Sequence, residues 1–298
     1  TLFAFIAVSS IGDVFYWTCF HAYFSSLGDS EHRGHQISAR EAVAAGVGII
    51  APLIGAFALE WVGPQLTFAM VAAVQVTGAL PLLGAPNIRI PAEAPGVFRA
   101  ARLSVALFAF DGWFAATYLL VWQVALFLAL GESYSAYGGA MALAALVGAG
   151  AGLLLGRQID AGRGQRAVMI AWLVAVSVTI MRASSLDWPE LAVTANALGA
   201  LVSCLLVPSQ MTPVYNMAKS SPCVLRFHIA AEGGWDVGCL FGALASAALV
   251  YNDVPLSVAV LLALPAVTVI AHLLRGYYAR HALSIEPAIA SVAPGPVP

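Results

Sequence analysis

Nine long apolar runs, separated by short polar gaps, set the plan of this chain. They are Leu2–Phe24, Glu41–Val62, Leu66–Gly84, Leu103–Leu130, Tyr134–Gly156, Ala167–Ala183, Leu191–Tyr215, Phe227–Tyr251 and Pro255–Tyr278. About 20 mostly apolar residues in a helix reach across the roughly 30 Å hydrocarbon core of a bilayer. The pattern predicts an all-α integral membrane protein with nine transmembrane helices. Residues 85–101 contain Pro86, Pro91 and Pro95 and read as a linker. It divides the chain into three spans over 1–84 and six over 102–281. Residues 282–298, rich in Pro and Ala, read as a disordered tail.

The polar gaps alternate in charge. Arg33 and Arg40; Arg89, Arg99 and Arg102; Arg157, Arg163 and Arg166; Lys219 and Arg226; and Arg275 and Arg280 fall in every second gap. The other gaps, around Gly63, Gly131, Ser185 and Asn252, carry no Lys or Arg except Arg182 at the edge of one. Basic loops stay cytoplasmic. The expected orientation in the cell (inner or plasma) membrane is therefore an N-terminus outside and a C-terminus in the cytoplasm.

Composition narrows the function classes. The chain is 61% hydrophobic and 9% charged, against about 25% charged in a soluble domain. A net charge of −2 speaks against nucleic acid as a partner. Cys19, Cys204, Cys223 and Cys239 have no metal-ligand spacing. No phosphate-binding Gly-rich loop and no nucleophile motif is present, and Lys219 is the one lysine. The expectations are no enzyme activity, no cofactor and no metal site.

Two helices carry small residues at fourfold spacing: Ala140, Ala144, Gly148, Gly152, Gly156, and Ala230, Gly234, Gly238, Gly242, Ser246. Such ladders let helix backbones approach closely. They read as packing surfaces, or as sliding surfaces between moving halves.

Ionisable residues inside the spans stand against this apolar background. A charged side chain at a helix centre costs roughly 2.5–3.5 kcal/mol on insertion scales. Asp111 follows Arg102 by nine residues, a rise of roughly 14 Å that puts it near the midplane. Asp236 lies at similar depth, with Glu232 one turn shallower on the same face. Asp13 sits inside the first span. Each is either an inert hydrogen-bond acceptor between helices or a proton-coupling or substrate site lining a wet cavity. His21, Tyr118, Gln123, Asn196 and Gln210 are polar residues on other spans that are candidates for the same cavity.

Two segments carry a family resemblance. Gly156-Arg157-Gln158-Ile159-Asp160-Ala161-Gly162-Arg163-Gly164-Gln165-Arg166 resembles the signature loop of the major facilitator superfamily. Ala161 stands where a basic residue is usual, and Gly164 is one place late. The segment Gly46–Ala56 resembles the family's antiporter motif through Gly48, Pro52 and Gly55, with Ala51 and Ala56 replacing glycines. The Arg33-Gly34 pair is similar to the loop before that helix.

The resemblance implies that the nine spans match the fourth to twelfth helices of a twelve-helix transporter. The first three helices have no counterpart here, so the chain is expected to be part of a longer protein or truncated. It implies a cytoplasmic gate of Gly156, Arg157, Asp160, Arg163 and Arg166. It also implies a cavity faced by the first and fourth helices of each half, which carry Asp13, Asp111 and Asn196. The expected function is proton-coupled export of a small organic solute by a monomer in the lipid bilayer. Uptake by symport, or a non-transporting sensor or scaffold on the same fold, are the alternatives.

Overall fold

A computed structural model describes residues 2–27, 33–159 and 164–290. Among these the chain is all-helical, with no strand. In order the helices are α1 (Leu2–Leu27), α2 (Arg33–Trp61), α3 (Pro64–Thr77), α4 (Val97–Phe114), α5 (Trp122–Ala129), α6 (Tyr134–Ile159), α7 (Gly164–Ala183), α8 (Pro189–Lys219), α9 (Val224–Tyr251), α10 (Leu256–Leu261) and α11 (Ala263–Ala290). A π-helical turn, Ala115–Val121, joins α4 to α5 with helical backbone on either side. The described part of α11 runs to Ala290, beyond the residue at which the sequence predicts the tail to start.

Six helical stretches among the described residues are long and apolar enough to cross a membrane. They are Pro64–Gly84, Val97–Ala129, Gly164–Ala183, Pro189–Lys219, Val224–Tyr251 and Leu256–Arg280. Helices satisfy the backbone internally, which a bilayer demands and a loop cannot supply. The chain is thus compatible with a multi-pass membrane location. α1, α2 and α6 are also long, at 26, 29 and 26 residues.

The most intimate contact joins α4 and α9, and the small-residue ladder makes it. A Cβ added at Gly234 would meet the carbonyl of Val105, and at Gly238 that of Ala109. At Gly242 it would meet Trp113 and Ala116. Gly112 answers from α4, bare against the α9 backbone at Trp235 and Cys239. The ladder on α6 also packs: Gly148 faces Ala200 of α8, and its carbonyl accepts from Cys204 Sγ at 3.3 Å. Of the two readings of the ladders, close packing is what the contacts display.

α7, α8 and α11 close the rest of the main core around Leu107, Phe108, Val202, Phe227, Ile270 and Leu274. A second cluster around Trp122, Leu126, Ala192 and Val260 fills the other end. α2 lies along α6, and α1 against α9 and α8. α3 is exposed along nearly its whole length, with Thr67 its one buried residue. α4, α7, α8, α9 and α11 share the main core, α1 and α2 pack on α9 and α6, and α3 packs on α2. The linker is tied down by Tyr23, which donates to the Pro86 carbonyl at 2.7 Å, and by Arg226, which donates to that of Ala92 at 2.8 Å.

Candidate functional site: a cluster of ionisable residues between four helices

α9 builds one side of the site. His228, Glu232 and Asp236 recur every fourth residue and so share one helix face. Gly234, Gly238 and Gly242 occupy another face, against α4. One helix thus docks through glycine and presents ionisable groups elsewhere.

α1 and α8 bring the partners. His21 Nδ1 lies 2.7 Å from the Tyr215 hydroxyl, and His21 Nε2 lies 3.5 Å from Glu232 Oε1. The side chains of His21 and Glu232 are 11% and 13% exposed. The His21 ring stacks on His228 at 5.5 Å between centroids. Ser25 Oγ donates to the His21 carbonyl at 2.6 Å and lies 3.4 Å from His228 Nε2. His228 is fully buried, and its Nδ1 has no partner.

α4 contributes Asp111, whose carboxylate lies beside the side chains of Gln210 of α8 and Trp235 of α9. Asp111 and Asp236 both lie within electrostatic reach of Glu232. Four helices meet here with three carboxylates and two imidazoles, and no Lys or Arg forms an ion pair with them among the described residues.

The two ring nitrogens of His21 face different partners, so its protonation state decides what each contact is. A neutral His21 with its proton on Nε2 faces Glu232 and accepts from Tyr215 through Nδ1. A protonated His21 donates toward both. One proton thus changes the attraction between α1 and α9 directly.

A second group lies toward the other end of the bundle. Arg182 is buried, 3% exposed, and its Nη1 donates to the Tyr118 carbonyl at 2.8 Å. That carbonyl belongs to the π-helical turn, where the regular helical hydrogen-bond ladder is disturbed. The guanidinium lies over the rings of Tyr118 and Trp122, 4.0 and 4.7 Å from their centroids. It rests on bare Gly199, where a Cβ would strike Nη2. Asn196 accepts from Trp122 Nε1 at 3.0 Å and donates to the Ala140 carbonyl at 3.0 Å.

The structure therefore splits the sequence candidates. His21, Asp111, Gln210, Glu232 and Asp236 come together. Tyr118 and Asn196 belong instead to the Arg182 group. Gln123 is half-buried and makes no hydrogen bond to either group, and Asp13 is exposed on α1, two turns from His21. Gly48 and Pro52 of the antiporter-like segment sit on the α2–α6 contact: Gly48 faces Ala145, and the Pro52 carbonyl faces Gly138. Gly55 has open space around it. Of the gate residues, Asp160 and Arg163 lie outside the described residues, Gly156 and Arg157 are described in backbone only, and Arg166 is exposed.

Sequence reasoning passed over Tyr215 and the role of His228. The fourfold spacing of His228, Glu232 and Asp236 was the available signal. Nothing in the sequence pairs Tyr215 with His21, which lies 194 residues away. Among the described residues no group of His, Cys, Asp and Glu is placed to hold a metal ion.

Comparison with protein-family models, with curated proteins and with solved structures finds no match to this chain.

Proposed function

We propose that the protein is a secondary transporter of the major facilitator type, exporting a small organic solute against protons by alternating access. All nine apolar segments cross the membrane in this reading, with the N-terminus of the chain outside and the linker and C-terminus in the cytoplasm. The solute binds near the midplane, among α1, α4, α8 and α9. Protons are the coupling ion, and protein and lipid are the only permanent components.

One observation carries the reading. The ion pair between His21 and Glu232 joins α1, from the segment before the linker, to α9, from the unit after it. A rocking-bundle transporter needs such a contact: one that holds two units together in one protonation state and releases them in another. Asp111 beside it, on a helix of the second unit, is the second carboxylate a coupling site uses. α1, α4 and α8 are also the described helices that the family resemblance assigns to the cavity wall.

The test is a flux measurement. The full gene product in proteoliposomes, given an acid interior, should release protons when a transported solute is added outside. A sealed vesicle that holds its pH through a broad solute screen, with the protein folded, would favour a sensor or scaffold.

A further inference from the structure

We infer that Arg182 is a clamp that holds Ala115–Val121 in its π-helical form, and so fixes how α5 is turned relative to the part of the span that carries Asp111.

Nothing local explains the turn. Its residues, Ala-Ala-Thr-Tyr-Leu-Leu-Val, include no Gly and no Pro, and Ala and Leu favour the α-helix. A π-helical turn is rare and needs a cause. Thr117 Oγ1 donates to the Trp113 carbonyl at 2.9 Å, a bond that can bend a helix. Thr179, Thr194 and Thr268 also donate to the carbonyl four residues back, at 2.7 to 2.8 Å, and their helices stay regular. The cause therefore comes from elsewhere in the fold.

Arg182 of α7 supplies it, by donating from Nη1 to the Tyr118 carbonyl at 2.8 Å. A distant donor alone is not enough. Asn196 and Cys204 place neutral donors on the Ala140 and Gly148 carbonyls, and α6 keeps its helical form. The Arg182 bond is charge-assisted, which roughly doubles its strength, and it comes with a second grip. The guanidinium covers the Tyr118 ring inside the turn and the Trp122 ring just past it, at 4.0 and 4.7 Å from their centroids. Asn196 holds the Trp122 indole in place at 3.0 Å. Winding the turn into an α-helix would rotate α5 by about 100°, the angle of one residue, and carry Trp122 off both partners. Gly199 lets the clamp close, since a Cβ there would strike Nη2, the movable end of the arginine.

The test is maleimide labelling of single cysteines on α5 in the purified full gene product, with Cys19, Cys204, Cys223 and Cys239 replaced by Ala. Val124 is 56% exposed and Ala125 2%. In the wild-type background Val124→Cys should therefore label at least about tenfold faster than Ala125→Cys. Gly199→Ala pushes the guanidinium off the carbonyl, and Arg182→Met removes it. Each α5 position then takes the orientation of the residue after it. Val124→Cys should slow about tenfold, and Gln123→Cys, half-buried in the wild type, should speed up severalfold. Leu120 is 53% exposed, so its deletion costs no core contact. Deleting it takes out about 100° of winding and cancels the rotation. Val124→Cys in the Arg182→Met chain without Leu120 should label as in the wild type. Unchanged labelling in whichever of the two substitutions folds overturns the inference, as does a slowing that the deletion fails to reverse. Should neither substitution give a folded peak in size exclusion, the deletion decides. Recovery of that peak in the Arg182→Met chain without Leu120 supports the clamp, and no recovery overturns it.

Discussion

Arg182 and Glu232 are both ionisable groups removed from water inside a helical bundle, and their surroundings differ in kind. The Arg182 guanidinium is enclosed by the Tyr118 and Trp122 rings, by the Tyr118 carbonyl and by the bare backbone at Gly199. Cation–π contact with desolvated rings contributes about 2 kcal/mol or more. The charge there is fixed, since arginine does not give up its proton. Glu232 is enclosed less tightly, faces the His21 ring and shares its field with Asp111 and Asp236. A sealed fixed charge holds helices in place. A loosely held titratable one gives them a reason to move. Both groups leave a buried polar atom without a hydrogen bond, Nε of Arg182 and Oε1 of Glu232, so the difference between them lies in the carboxylates and imidazoles gathered around Glu232.

Substitutions in the two regions should therefore fail differently. The largest effect belongs to the interface beneath the site. Gly238→Leu drives a side chain into the α4 backbone at Ala109, and no folded protein should be recovered in a size-exclusion assay of detergent extracts. A normal monodisperse peak would show that the ladder tolerates separation.

Trp122→Ala comes next. It opens a cavity and strips one aromatic wall from Arg182, so thermal unfolding should report a loss of about 3–5 kcal/mol. A loss below about 1 kcal/mol would mean that the aromatic walls do not support the guanidinium.

His21→Phe keeps the ring stack but removes both nitrogen contacts. Stability should change by about 1 kcal/mol, because the ion pair is partly solvated. Proton-coupled flux should fall at least tenfold. Intact flux would detach α1 from the coupling site.

The smallest effect is expected at Glu60. Its Oε1 accepts from the Ser135 backbone at 2.9 Å, so α2 caps the start of α6. Glu60→Gln should cost about 0.5–1 kcal/mol in thermal unfolding and leave flux unchanged. A large loss of flux would make this contact a gate rather than a cap.

The rods and the ladders were legible because both are local. Apolar length fixes a spanning helix, and a Gly every fourth residue leaves a groove that some backbone must fill. The α9 face of Glu232 and Asp236 followed from helical period alone. What stayed hidden was pairing across the fold. Tyr118 and Asn196 read as cavity polars, because nothing local shows that Arg182 reaches back over two helices to one and that the Trp122 indole occupies the other. His21 carried no local distinction from any histidine on an apolar face; its role comes from Tyr215 and Glu232, each about two hundred residues along. The π-helical turn was equally invisible, since its residues are as apolar as those of the regular helix on either side.

The central claim is that the carboxylates between α1, α4, α8 and α9 change charge during transport, and Asp111 tests it most directly. Asp111→Asn preserves size and one acceptor oxygen, and removes the charge and its titration. The measurement is pH-gradient-driven flux by the full gene product, wild type against Asp111→Asn, at matched folded protein, alongside solute binding. The account predicts that gradient-driven flux is abolished while binding persists at reduced affinity. Near-normal flux with unchanged pH dependence would contradict it and reduce Asp111 to a packing acceptor between helices.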